Sequence, residues 1–152
     1  MPIDFEVKDK IATIVINRPE TKNALNVAAF YELREAVAEL EADATVRSIV
    51  VIGKGGNFSS GRDFRDKTPL PPDFEEQRTA AFNALEYCTK PTIAAVQGTC
   101  SAAGMMLACM CDLIVAADDA RFLQVLQDVQ AGRLTCRAVA EAHGLPFAPA
   151  AA

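Results

Sequence analysis

Two short stretches place backbone donors at sharp turns, and they are where this chain could do chemistry. In "GNFSSGRDF" (Gly56–Phe64) a strand-like run ends, Gly61 permits a tight bend, and the N–H of Arg62 is left facing outward. In "VQGTCSAAGMML" (Val96–Leu107) a strand ends at Val96, Gly98 turns the chain, and a helix begins near Ala102. The first N–H groups of a helix have no internal partner and carry the positive end of its dipole. Two such donors converging on one point would stabilise an enolate or a tetrahedral oxyanion. On spacing alone, two ordinary strand-to-helix turns remain the simpler alternative. Ser59 and Ser60 are nucleophile candidates by type, but shaping the loop is enough to account for them.

Composition narrows the classes. The chain has 152 residues, 51% hydrophobic and 23% charged, which suits one globular domain with a real core. A net charge of −5 argues against a nucleic-acid partner, because no basic face could supply the counterion-release contribution. The longest apolar run, Cys100–Cys111, is stopped by Asp112 and is too short to span a bilayer. No charged-then-apolar leader opens the chain, so a cytoplasmic protein without a membrane partner is expected. Five cysteines show no C-x-x-C spacing, and Cys109 and Cys111 have no histidine nearby. Buried core thiols are therefore expected, and no metal site.

The elements that must position the two turns follow from the apolar pattern. Ile11–Ile16, Val46–Ile52, Thr92–Val96 and Leu113–Ala117 read as strands whose near-continuous apolar character suits a sheet covered on both faces. Ile3–Val7 alternates, and pairs with the first of these as a hairpin through Asp9-Lys10. Phe30, Leu33, Val37 and Leu40 recur at helical spacing behind Asn26 as N-cap. Phe74, Arg78, Ala81, Phe82 and Leu85 trace a second helix, entered through Pro71-Pro72 with acidic residues in its first turn. Ala102–Cys111 is apolar all round and predicts a buried helix, with Met105 and Met106 in the core. Strands alternating with helices imply an α/β fold with largely parallel pairing.

Three ordered motifs give a sharper expectation. "IATIVINRPETKNALN", "VVIGKGGNFSSGRDF" and "KPTIAAVQGTCSAAGMMLACMCDLIVAADDARF" resemble the crotonase family, the enoyl-CoA hydratase/isomerase superfamily, over residues 3 to 124. The resemblance implies a spiral of ββα units and a C-terminal helical region that forms trimers or hexamers. It implies an acyl-CoA thioester as ligand, with coenzyme A part of the substrate and no separate cofactor. The thioester carbonyl would be held by the backbone N–H groups of Arg62 and Ala103. Asp63, Phe64 and Arg65 match the acyl-CoA-binding segment, and Lys22, Ala24 and Leu25 match the loop that approaches adenine and pantetheine. Lys22 would add positive charge for the phosphates, although a solvated loop lysine is an equal alternative.

This chain also departs from the family pattern. Ala103 stands where the second donor is usually glycine, and Arg62 where the first is often small, so the arginine side chain must swing away or line the pocket. Met106 stands where hydrating members carry a glutamate, and methionine cannot move a proton. The second acidic segment of the family is not matched, which leaves Asp128 as the nearby carboxylate. Asp112, Asp118 and Asp119 read as capping or solvated groups, and His143 falls in the unmatched part. The family pattern covers residues 1–124. Residues 125–152 read as an unmatched tail, truncated or out of frame, with the C-terminal helical region lacking. An acyl-CoA enzyme that stabilises an enolate and an inactive acyl-CoA-binding homologue both fit these residues.

Overall fold

The structure, a computed structural model, describes residues 1–123. Asp128 and His143 lie outside the described residues. The chain opens with β1 (Ile3–Lys8) and β2 (Ile11–Ile16), paired antiparallel with Ile3 opposite Ile16. Asp9 and Lys10 turn between them with φ of 50° and 69°, the left-handed values a two-residue hairpin turn requires.

Helix α1 (Val27–Ala42) starts at Asn26, whose side chain accepts from the Ala29 N–H at 3.0 Å and satisfies one of the helix's unpaired donors. Its buried stripe includes Phe30, Leu33, Val37 and Leu40, as the spacing predicts. The chain then runs through β3 (Ser48–Gly53), α2 (Phe74–Glu86), β4 (Thr92–Val96), β5 (Thr99–Ser101), α3 (Ala103–Met110), β6 (Leu113–Ala116) and β7 (Arg121–Leu123). One five-stranded sheet has the order β1-β2-β3-β4-β6, parallel from β2 onward, and β5 and β7 form a separate parallel pair. Both β1–β2–α1 and β4–β5–α3 carry the ββα order.

The core lies between one face of the large sheet and the helices. Ile14, Ile16, Ile49, Val51, Ala94 and Val96 pack with the stripes of α1 and α2. Phe30 meets Phe74 and Phe82 edge to face, with ring centroids 5.8 Å and 5.9 Å apart. Among the described residues no helix is long and apolar enough to cross a membrane.

Three expectations need correction. Among the described residues the sheet is not covered on both faces: residues of β3 and β4 facing away from the helices are only half buried, and β6 is open on both faces, with Leu113 and Val115 exposed on one and Ile114 on the other. Helix α3 is buried on one face only, through Gly104, Leu107 and Ala108. Met106 projects from the other face at 40% exposure, so it is not a core residue, whereas Met105 packs against the core. Of the cysteines, Cys100 and Cys111 are buried as expected but Cys109 is exposed, because it too lies on the open side of α3.

Candidate functional site

Three loops meet behind the C-terminal ends of β2, β3 and β4. The first, residues 17–26, is built on buried Asn23. Its Oδ1 accepts from the Arg18 N–H, and its Nδ2 donates to the carbonyls of Lys54 and Asn57 at 2.8 Å and 2.6 Å. Lys22 and Asn23 hold left-handed φ of 53° and 58°, which places Ala24 and Leu25 in the interior while Lys22 stays exposed.

The second loop lies across the first. Leu25 N–H donates to the Gly61 carbonyl at 2.7 Å, and Asp63 N–H donates to the Leu25 carbonyl at 2.9 Å. In this parallel bridge the groups of residues 61 and 63 point at Leu25, so the N–H of the intervening Arg62 points the opposite way. Both serine hydroxyls are engaged by backbone. Ser59 Oγ donates to the Asn23 carbonyl at 2.8 Å and Ser60 Oγ to the Thr21 carbonyl at 3.1 Å. They shape the loop.

The third loop carries the start of α3. Ala102, just before the helix, has φ of 49° and ψ of −119°, an uncommon conformation for a residue with a side chain. It is pinned from both sides: its N–H donates to Leu123 in β7 and its carbonyl accepts from Met106. Ala103 is the first helical residue, so its N–H has no intrahelical acceptor. Ser101 ties this loop to the second through its N–H to the Ser59 carbonyl and its hydroxyl to the Ser60 carbonyl, both at 3.0 Å.

Glycine permits this approach. Gly61 has φ of 97°, and a Cβ there would lie 3.0 Å from the Cβ of Ala102 and 3.3 Å from the Ala103 nitrogen. A Cβ on Gly104 would lie 2.5 Å from the Ser59 carbonyl oxygen. The Gly61–Arg62 turn and the Ala102–Ala103 turn are therefore in contact. Among the described residues, neither the Arg62 N–H nor the Ala103 N–H donates to a backbone carbonyl. One oxygen could be held by both.

The side chains after Gly61 alternate in role. Asp63 is buried and pairs with Arg18, Nη1 to Oδ2 at 2.9 Å, while its Oδ1 accepts from the Arg65 N–H at 3.0 Å. Burial raises its pKa, but the Arg18 hydrogen bond, the Arg65 N–H and both positive charges outweigh it and hold the carboxyl below its usual value. Arg18 also donates to the Ala24 carbonyl at 2.5 Å, so this pair clamps the first loop to the second. Arg62 and Phe64 share the opposite face. The guanidinium lies over the rings of Phe64 and Phe74, 5.6 Å and 5.1 Å from their centroids. Phe64 and the Arg65 side chain are exposed.

The structure thus brings together Ala24, Leu25, Arg62, Asp63 and Ala103, with Lys22, Phe64 and Arg65 at the exposed rim. Sequence reasoning did not single out Arg18 or Asn23, and placed Phe74 only in the stripe of a helix. "NRPETKN" holds the first two, but their partners lie about 30 to 45 residues away and no local pattern reveals them. Asp112 caps β4 by accepting from the Thr92 N–H at 2.8 Å, and Asp119 accepts from the Gly98 N–H at 3.3 Å, in line with the capping roles expected of them.

Residues 6–134 match the family model described as enoyl-CoA hydratase/isomerase. A probable enoyl-CoA hydratase of Rhodobacter capsulatus is 36% identical over 126 residues, covering 80% of this chain and 48% of that protein. A 4-chlorobenzoyl coenzyme A dehalogenase of an Arthrobacter species is 36% identical over 130 residues, covering 80% and 47%. The crystal structure of a probable enoyl-CoA hydratase from Mycobacterium thermoresistibile superposes with a TM-score of 0.73 at 39% identity, over 80% of this chain and 52% of the other. The chain spans about half the length of the curated relatives it matches.

Proposed function

The chain belongs to the enoyl-CoA hydratase/isomerase family, and from that premise we propose that it binds an acyl-CoA thioester and stabilises its enolate through the N–H groups of Arg62 and Ala103. The observation that carries this reading is the contact between the Gly61 and Ala102–Ala103 turns. Each turn offers a donor turned away from its own loop's hydrogen bonds. Polarising the thioester carbonyl acidifies the carbon beside it and favours the negatively charged oxygen over the neutral one. Preorganised donors of this kind contribute about 3–4 kcal/mol each to the barrier. The positive end of α3 acts in the same sense at Ala103. Buried Ala24 and Leu25 would shape the loop that flanks the pantetheine arm, and exposed Lys22 and Arg65 would face the phosphates.

A specific observation favours a second reading, a thioester-binding chain without turnover. Met106 stands three residues after Ala103 on α3, where the family resemblance implies a glutamate, and its side chain is on the open face of the helix. It can pack against an acyl group but cannot transfer a proton. Acyl-CoA binding measured by calorimetry, alongside assays of crotonyl-CoA hydration and of Δ3/Δ2 isomerisation, separates the two. The enzyme reading expects binding with turnover. Tight binding with no turnover of any thioester would leave the binding reading standing, and no binding would remove both.

A further inference from the structure

In the proposed carbonyl site Arg62 contributes its backbone N–H, which leaves its side chain for another role. Its side chain lies on the face opposite Asp63, with the guanidinium resting on the rings of Phe64 and Phe74. Among the described residues no carboxylate pairs with it. The neighbouring acids are engaged elsewhere: Asp63 by Arg18 and Arg65, Asp66 by Thr68, and Asp73 by Tyr31 and Gln77. Stacking orients a guanidinium through its faces and leaves the in-plane N–H donors available. Phe74 is buried at the start of α2, so one side of this platform is rigid, while Phe64 is 76% exposed and borders open space. The result is an oriented, half-buried cation one side chain away from the proposed carbonyl-binding N–H.

We propose that the Arg62 side chain is a specificity determinant that receives a carboxylate carried on the acyl group, so that the preferred ligand is the CoA thioester of a short dicarboxylic acid. This rests on the thioester-binding reading above. The carboxylate belongs to the acyl group and not to the CoA phosphates, because the same residue anchors the thioester oxygen. The pantetheine arm, much longer than an arginine side chain, carries the phosphates away from that point. A carboxylate a few carbons from the carbonyl falls within the side chain's reach. A planar guanidinium suits it, since its paired donors match two carboxylate oxygens.

The test compares glutaryl-CoA with valeryl-CoA, which has the same number of acyl carbons and no carboxylate. Affinity of each is measured by calorimetry for the wild type, Arg62→Gln and Arg62→Lys. The quantity read is the ratio of the two affinities, so any general loss of binding in a variant cancels. The wild type should favour glutaryl-CoA about tenfold or more, the scale of one charge-assisted hydrogen-bonded contact. Arg62→Gln should bring the ratio near one, and Arg62→Lys should keep part of it. An equal affinity for both thioesters in the wild type, or a preference that Arg62→Gln leaves intact, overturns the inference while the thioester-binding reading stands. Binding of neither thioester overturns both.

Discussion

At Gly61 and Gly104 one added methyl group would press on the meeting point of the two turns. At Gly61 an alanine would have to adopt φ of 97° and press on Ala102. At Gly104 the new carbon meets backbone that cannot move aside. Gly104→Ala should therefore cost about 1–3 kcal/mol in denaturant unfolding, the range for forced overpacking. Asp63 yields a pH prediction. Its pKa is lowered in the folded protein, so its pairing with Arg18 stabilises the fold above the ordinary carboxylate range and is lost as pH falls through the folded value. Asp63→Asn should lower stability at neutral pH by about 3 kcal/mol, as expected when a buried pair is broken. The gap between the two proteins should shrink below about pH 4. Burial pushes the thiols of Cys100 and Cys111 up to about 12. Thiol-directed labelling of the native protein at pH 8 should mark exposed Cys109 and leave those two unmodified until the chain unfolds. The turn glycine and Arg62 were legible in the sequence. The Arg18–Asp63 clamp was not, since a pair separated by 45 positions leaves no local signature.

At the scale of elements, local chemistry was the most readable layer. Asn26 before an apolar stripe is a cap because its side chain competes for the first free N–H groups, and Asn26→Ala should cost about 1 kcal/mol by thermal or chemical unfolding. The bounds of β2 and β4 match the apolar runs residue for residue, and the hairpin between β1 and β2 falls where Asp9-Lys10 suggested. Strands β5 and β7 were missed, being three residues each and held by pairing across about 20 positions. Helix α3 was misjudged for a different reason. An all-apolar helix has no sequence signal for which face is covered, and here Gly104, Leu107 and Ala108 face inward while Met106 and Cys109 do not.

At the scale of the whole molecule, composition and alternation led to the α/β class and the parallel order, but not to the exposure of β6 among the described residues. Leu113, Ile114 and Val115 look like core residues by type, and 44–63% of their surface is exposed. Substitution should discriminate sharply between exposed β6 and the packed face of the sheet. Leu113→Thr with Val115→Thr should change stability by no more than about 0.5 kcal/mol, whereas Ile49→Ala, in the packed face, should cost about 2–5 kcal/mol. At the C-terminal ends of β2, β3 and β4, the Gly61–Arg62 turn meets the Ala102–Ala103 turn. In the proposed site the N–H groups of Arg62 and Ala103 share one oxygen. A crystal structure of the protein with an acyl-CoA bound tests it most directly, through the distances from the Arg62 and Ala103 nitrogens to the thioester oxygen. Both should lie within about 2.7–3.2 Å, and a thioester oxygen well beyond that range from both nitrogens would contradict the account.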